Sequence, residues 1–271
     1  MGLALIFLGV AFLLLKKRIS VPWKIRGKIW LAGLFMQGFP MALLFWGERT
    51  VSPGLAGVLN ATMAIWVFIL GSLFFPKSEN FSFQKLVGLI VSILGVLILF
   101  WPILFGTSER SELWGAFAVV LMGLSYAIGT LMNRVLLSGQ TTVDFHANLY
   151  QQLLSSSVFL LVLSSIFESW PSLGVFLENP SAILALLYLS LCSTALAWLI
   201  YFHLVREWGA VRGSAVSYLI PVMALIWDYA VFQNVPGVFE SVGTFTILSG
   251  ILLLNFQPSW LKAVSRSKAK H

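Results

Sequence analysis

Long apolar runs separated by short polar segments make up most of the chain. Seven of these runs contain no Asp, Glu, Lys or Arg over at least 19 residues: 29–47, 50–76, 86–108, 113–133, 145–167, 179–205 and 241–261. At the composition of a soluble domain, a window of this length would be free of charge only about 0.4% of the time. Because a helix rises by about 1.5 Å per residue, about 20 apolar residues cross a ~30 Å hydrocarbon core. The runs therefore predict membrane-spanning helices.

Two weaker runs extend the pattern. Residues 1–15 form a shorter apolar segment, and residues 213–239 hold a single charge, Asp228. Strands of a membrane barrel would instead give alternating segments of about ten residues, which this sequence lacks. Backbone groups in lipid must also be satisfied internally, which favours helices. We therefore predict an all-α polytopic membrane protein with about nine helices, near 2–15, 29–47, 53–75, 86–104, 113–134, 145–167, 181–204, 212–232 and 239–256.

Basic residues fall on alternate connections between these helices. Of the 17 Lys and Arg residues, all but Arg49 and Arg110 lie in the first, third, fifth and seventh connections or in the C-terminal tail. Short cytoplasmic connections are enriched in Lys and Arg. We therefore predict a bacterial cytoplasmic (inner) membrane location, with the N-terminus outside and the C-terminus in the cytoplasm. This placement explains the net charge of +7 by contact with the lipid bilayer, so no nucleic-acid partner is predicted.

The two halves of the chain resemble each other. Residues 49–64 align without gaps on residues 206–221. Further on, glycine pairs spaced by seven residues match between the halves: Gly88, Gly95, Gly243 and Gly250. This spacing places small residues on one helix face, where a partner subunit can pack. Equivalent helices run in opposite directions, and such inverted repeats are typical of secondary transporters. The predicted domains are residues 1–106, residues 113–260 and a basic tail, residues 261–271.

The second half also carries a family resemblance. Its residues are Ser193-Thr194-Ala195-Leu196-Ala197-Trp198, Tyr201-Phe202, Arg206, Gly209-Ala210, Ser214-Ala215 and Pro221-Val222. This series resembles the penultimate two helices of EamA-type transporters of the drug/metabolite transporter superfamily. In the first half, residues 52–61, Glu79 nine residues before Gly88, and Gly95-Val96 match the corresponding stretch. The resemblance implies a carrier of small solutes, with export as the usual direction.

Three features depart from the family pattern. Ala64 replaces a usual proline, and Gln233-Asn234 replaces a usual Gly-Glu before the last helix. The family usually has ten helices in two sets of five, so the repeats here are expected to hold four and five helices, without the usual first one. A non-transporting truncated remnant or a subunit of a heteromeric complex is therefore an alternative to a complete carrier. The sequence leaves a homodimer or a heteromer open.

Several predicted helices carry polar or aromatic side chains at helical spacing. Because polar groups in lipid are costly, they tend to face a bundle interior or a water-filled path. The candidate solute-binding residues are Gln37, Asn60, Trp66, Tyr126, Asn133, Gln151, Gln152, Thr194, Trp198, Tyr201, Tyr218 and Asp228. The alternatives are interhelical hydrogen bonds, worth about 0.6 kcal/mol each, lipid-facing tryptophans, and an Asp228 carboxylate that reaches water at the outer interface. Pro40, three residues after Gln37, predicts a kink.

The remaining motifs narrow the function classes. The sequence has no P-loop, no HExxH motif and no Cys/His cluster, so no cofactor and no metal site is predicted. The single cysteine, Cys192, is predicted to be a small buried residue. We predict that the protein is not an enzyme; an intramembrane lipid-modifying enzyme is the alternative, but no catalytic polar cluster is evident. The favoured function is a secondary transporter that exports a small metabolite, amino acid or drug-like solute by alternating access.

Overall fold

The computed structural model describes residues 1–17, 19–74, 83–105, 110–138, 144–168, 180–201 and 216–255, and all regular structure in these ranges is helical. The elements are α1 (Gly2–Leu14), α2 (Trp23–Gly33), the first π segment (Leu34–Gly38), α3 (Phe39–Gly47), α4 (Pro53–Asn60), α5 (Thr62–Phe74), α6 (Phe83–Phe105), α7 (Arg110–Ser138), α8 (Phe145–Phe167), α9 (Pro180–Tyr188), the second π segment (Leu189–Leu196), α10 (Val216–Phe232) and α11 (Val238–Asn255). The predicted all-α polytopic fold is confirmed.

Within the described ranges these elements form nine apolar helical segments, six of them long enough to cross a membrane. The predicted segment 29–47 begins earlier in the structure, at Trp23. The absence of charge marks only the part of a helix that lies in hydrocarbon, whereas Lys24, Arg26 and Lys28 continue the helix into the polar interface. The predicted segments 181–204 and 212–232 both run into residues 202–215, which lie outside the described ranges.

Each repeat contains a π-helical turn at the same position. In the register that aligns Arg49 with Arg206, an offset of 157 residues, the first π segment falls on residues 191–195 of the second. In the first repeat, Pro40 lacks the N–H that would bind the carbonyl of Met36, which explains an irregular turn there. In the second, the Thr194 hydroxyl donates to the Leu189 carbonyl at 2.9 Å. The irregularity that the sequence predicted at Pro40 therefore takes the form of a π segment that ends at Gly38, two residues before the proline.

The last helices of the two repeats, α6 and α11, make the most extensive helix–helix contact in the described structure. A Cβ added to Gly95 would lie 2.7 Å from the backbone nitrogen of Ile247 and 3.0 Å from the Gly243 carbonyl. A Cβ added to Gly250 would lie 2.7 Å from the Gly88 carbonyl. Because Gly88 aligns with Gly243 and Gly95 with Gly250, the two contacts are reciprocal, as in an interface with two-fold symmetry.

This packing corrects the expectation that the glycine faces receive a partner subunit. The two faces cover each other within one chain, and the small residues bring the α6 and α11 backbones into contact. Dispersion contacts and close backbone approach drive helix association in lipid. The interface between the repeats therefore occupies the surface that the sequence left available for oligomerisation.

The π segments also pack in an equivalent way. The first lies against α8, where the Ser156 hydroxyl donates to the carbonyl of Gly33 at 2.9 Å. The second lies against α1, where Ala195 joins the buried cluster that contains Ala4 and Leu8. By order along the chain, α1 and α8 are equivalent helices of the two repeats. Each repeat thus supplies the helix that covers the π segment of the other.

The helix that contains the π segment has one face that is covered in the first repeat and exposed in the second. Helix α7 packs against Met36, which is buried, by placing Gly129 on its backbone. The equivalent residue, Ser193, is exposed, and so is its neighbour Cys192. No described helix takes the place of α7 on this side. The prediction that Cys192 is buried is therefore wrong, because its helix presents this apolar face outward.

Candidate functional site

The structure divides the twelve candidate residues into three groups with different surroundings. One group is hydrogen-bonded between helices, one is buried without polar partners, and one is aromatic. Asp228 lies apart from all three, and Trp66 is half-buried on α5. Tyr218 belongs to α10, but its side chain lies outside the described residues. The division depends on what each side chain contacts, so it separates residues that are chemically alike in the sequence.

The first group joins α7 to α8 through buried amides. The Gln152 Nε2 atom donates to Asn133 Oδ1 at 2.6 Å and to Asn148 Oδ1 at 3.1 Å. Asn133 Nδ2 donates back to Gln152 Oε1 at 3.3 Å. All three side chains are buried. In this network the amides use one another as hydrogen-bond donors and acceptors and link the two helices.

Gln151 has a similar role on the neighbouring face of α8. Its Oε1 accepts a hydrogen bond from the Trp30 indole at 2.9 Å, and its Nε2 donates to the Ile19 carbonyl at 3.0 Å. These bonds tie α8 to α2 and to the segment before α2. Trp30 was not among the sequence candidates, because nothing in a helical pattern shows which tryptophan has a buried hydrogen-bond partner.

The second group has buried polar atoms that lack hydrogen-bond partners among the described residues. Gln37 in the first π segment is fully buried, and neither its Oε1 nor its Nε2 has a hydrogen-bond partner. The same holds for Asn60 Oδ1 and Thr62 Oγ1, which flank the break between α4 and α5. A buried polar atom without a partner costs about 1–3 kcal/mol. These groups are therefore the ones available to a bound solute or water.

Thr62 was missed by sequence reasoning. In the sequence, only its position two residues after Asn60 could have pointed to it. In the structure, α4 ends at Asn60 and α5 begins at Thr62. Helix α7 contacts Thr62 at Gly123 and the first π segment at Gly129. Both parts of this group therefore pack against the same helix, at residues about two turns apart.

The third group is aromatic, and its members pack against the two main buried clusters. The rings of Trp198 and Tyr201 meet edge to face, with centroids 5.7 Å apart, and both pack on the cluster that contains Leu149 and Leu153. Tyr126 packs on the other main cluster. The group therefore offers aromatic surface and hydroxyls without a formal charge. Thr194 lies one turn before Trp198, with its hydroxyl bound to the helix carbonyl.

Asp228 forms a separate contact between the repeats. Its side chain is 5% exposed and accepts a hydrogen bond from Asn234 Nδ2 at 3.1 Å. It lies directly against Gly54, in the first turn of α4, where a Cβ would collide with the carboxylate. The positive end of a helix stabilises a negative charge. Asp228 is thus held between protein groups and does not reach water as an exposed interfacial acid would.

Two depressions on the described surface lie elsewhere. One of about 340 Å³ is lined by Trp23, Lys24, Arg26, Gly27 and Trp30. An apolar one of about 230 Å³ lies between α5 and α7. Neither is lined by any of the twelve candidates. Within the described ranges, no three His, Cys, Asp or Glu residues are grouped as a metal site would require.

Comparison with known proteins assigns the chain to a family. The sequence model described as "EamA-like transporter family" matches two segments, residues 1–101 and 113–256. A solved crystal structure with 16% sequence identity superposes with a TM-score of 0.62 over 93% of this chain and 83% of that one. At this identity the superposition shows the fold alone.

Relatives from bacteria carry transporter names. The uncharacterized transporter YoaV of Bacillus subtilis is 26% identical over 93% of this chain and 85% of its own length. An uncharacterized transporter of Buchnera aphidicola is 30% identical over 82% of this chain and 70% of its own. A probable amino-acid metabolite efflux pump of Escherichia coli is 24% identical over 86% and 77%. With the family match across both helical repeats, these relatives lead to one conclusion: the chain is a membrane protein of the EamA-like transporter family.

Proposed function

We propose that the protein is a secondary transporter that exports a small solute by alternating access between its two inverted repeats. The observation that carries the proposal is the reciprocal packing of the repeats, in which α6 meets α11 and each π segment meets the helix supplied by the other repeat. Two copies in opposite orientation can exchange conformations, which turns an outward opening into an inward one. The repeats are assigned to residues 1–106 and 113–260, with the basic tail 261–271 in the cytoplasm.

The solute is proposed to bind between the partnerless amides and the aromatic group. The Gln37 amide and Asn60 Oδ1 offer hydrogen-bonding groups that no described residue uses. Tyr126, Trp198 and Tyr201 supply aromatic surface, and Trp66, Thr194 and Tyr218 remain predicted contributors. A site of this chemistry suits a small amphipathic metabolite, an amino acid or a drug-like solute. The name of the Escherichia coli relative, a probable amino-acid metabolite efflux pump, agrees with this class.

Asp228 is assigned to closure of the outer end and not to the solute. It joins α10 to the start of α4, which the predicted topology places outside. In the register of the repeats, an offset of 157 residues, Asp228 corresponds to Gly71. The acid therefore has no acidic counterpart at the equivalent position of the first repeat.

Replacing Asp228 with asparagine is expected to weaken the outer closure. The change removes a charge near a helix start, worth about 0.3–2 kcal/mol, which corresponds to an increase of about two- to thirtyfold in the outward-open population. The measurement is the rate at which a membrane-impermeant maleimide labels a cysteine placed at position 60, in a Cys192→Ser background. Glu240→Gln removes an acid at the same end, in the first turn of α11, and is expected to leave the rate unchanged. Equal rates in D228N and its parent would contradict the closure.

Transport itself is tested in vesicles made with the purified chain. A panel of amino acids and small amphipathic solutes is loaded, a pH gradient and a membrane potential are imposed, and efflux is compared with that from protein-free vesicles. We expect saturable efflux of at least one solute that changes when the gradient is collapsed. Folded protein that moves no member of a broad panel under any gradient would count against the proposal.

A second candidate function, a subunit of a heteromeric membrane complex, is favoured by the exposed face around Ser193 and Cys192. In that case the purified chain would bind solute but show efflux only together with another membrane polypeptide. Gradient-sensitive efflux by the chain alone would exclude this requirement.

A further inference from the structure

The groove at the start of α2 is the feature of the molecule that solute transport does not use. It has a volume of about 340 Å³ and is lined by Trp23, Lys24, Arg26, Gly27 and Trp30. It lies where the first long membrane span begins, at Trp23. Its level is therefore that of the lipid headgroups, whichever side of the membrane it faces.

We propose that this groove binds the phosphate of an anionic phospholipid headgroup, of the phosphatidylglycerol class. Lys24 and Arg26 are its two cations, and no acidic side chain lines it. The Arg26 guanidinium is held over the Trp23 ring, 5.1 Å from its centroid, with one terminal nitrogen 3.5 Å from the Val21 carbonyl. Its buried Nε has no hydrogen-bond partner among the described residues. A guanidinium held in place by such contacts can present its remaining N–H groups to a phosphate oxygen.

The helix itself adds to the field at the groove. The N-cap of α2 is Pro22, which provides no side-chain acceptor for the first-turn N–H groups. Because Trp23 and Lys24, the first two residues of α2, line the groove, the positive end of the helix lies beside it, as at many phosphate sites. Lys28, two residues after Arg26 on the same helix, adds a positive charge without lining the groove. Together these groups favour an anion over a zwitterionic headgroup.

The walls of the groove favour a lipid over a free phosphate ion. Trp23 is 80% exposed and Leu31, two turns into the span, is also exposed, so apolar surface continues from the headgroup level along α2. Trp30 is fixed by its hydrogen bond to Gln151. An acyl chain can therefore lie on the helix below a bound headgroup. An inorganic phosphate would use the cations but gain nothing from this apolar surface.

The test is binding of phosphatidylglycerol to the purified full chain in detergent, measured by native mass spectrometry with phosphatidylcholine as the reference lipid. Each basic side chain near an anionic surface contributes about fivefold in affinity. Lys24→Gln with Arg26→Gln is therefore expected to weaken phosphatidylglycerol binding about thirtyfold and to leave phosphatidylcholine binding unchanged. The matched control, Lys16→Gln with Lys28→Gln, removes the same charge outside the groove and is expected to lose much less.

Each alternative result overturns the inference. Equal losses in the two double variants would mean that net charge alone attracts the lipid. Equal wild-type affinity for the two lipids would exclude an anion site. Competition by inorganic phosphate that matches phosphatidylglycerol, mole for mole, would assign the groove to free phosphate. If the double variant does not fold, Lys24→Gln alone, at an exposed position, is expected to lose about fivefold in phosphatidylglycerol affinity, and no loss there would equally refute the site.

Discussion

Replacing Gly95 with alanine is expected to lower the free energy of unfolding by about 1–3 kcal/mol, a typical cost of overpacking a filled interface. The added methyl group would lie 2.7 Å from the Ile247 backbone nitrogen and 3.0 Å from the Gly243 carbonyl. Backbone atoms cannot rotate away as a flexible side chain can, so α6 and α11 must separate. Gly250→Ala, at the reciprocal position, is expected to cost a similar amount.

The measurement is unfolding of the purified protein in mixed micelles, followed by helix content. Gly27→Ala is the control, because nothing lies within 4 Å of the added Cβ. It should be neutral or stabilising by up to about 1 kcal/mol, since alanine favours a helix over glycine. If Gly95→Ala and Gly27→Ala proved equally stable, the close approach of α6 and α11 would be wrong.

Replacing Gln37 with leucine is expected to abolish most transport while leaving the protein at least as stable. The amide is fully buried, and both of its polar atoms lack partners within the part of the chain that the structure describes. Removing it relieves a desolvation cost of about 1–3 kcal/mol but takes away hydrogen bonds proposed for the solute. Loss of one such bond to a neutral group corresponds to about a five- to tenfold decrease in efflux at low solute concentration.

Gln152→Leu is the matched variant and is expected to behave in the opposite way. It leaves Asn133 and Asn148 without their shared donor, so the free energy of unfolding should fall by about 1–3 kcal/mol. Efflux per folded molecule should change little, because the network faces other protein groups. Both variants are measured for unfolding in micelles and for efflux in vesicles. A Gln37→Leu protein that is destabilised but transports normally would show that the amide has a structural role.

The helices were predictable because lipid imposes a simple rule on composition. Charges are excluded from hydrocarbon, so each of the seven charge-free runs coincides with a helical segment of the described structure, and the position of α8 (Phe145–Phe167) followed closely. The ends of α2 and α7 did not follow, because a helix continues past the point where charges begin. The equivalence of the repeats was also readable, since it depends on residues such as Arg49 and Arg206 that keep their spacing.

The role of a polar residue was not predictable in the same way. Gln37 and Gln152 are the same residue type and both are fully buried. One is unpartnered and the other is central to a network, and the difference depends on which residues from distant helices face it. Asp228 is similar, because only the approach of Gly54 shows that it closes a contact between repeats.

The sequence by itself determined the membrane class, the nine apolar segments and the inverted relation of the halves, because these depend on composition and spacing along one chain. Only the tertiary structure decided that the glycine faces of α6 and α11 meet each other, that both repeats contain a π segment, and which polar side chains are left without partners. These outcomes depend on contacts of only a few ångströms between helices far apart in the chain, and no local pattern encodes such distances.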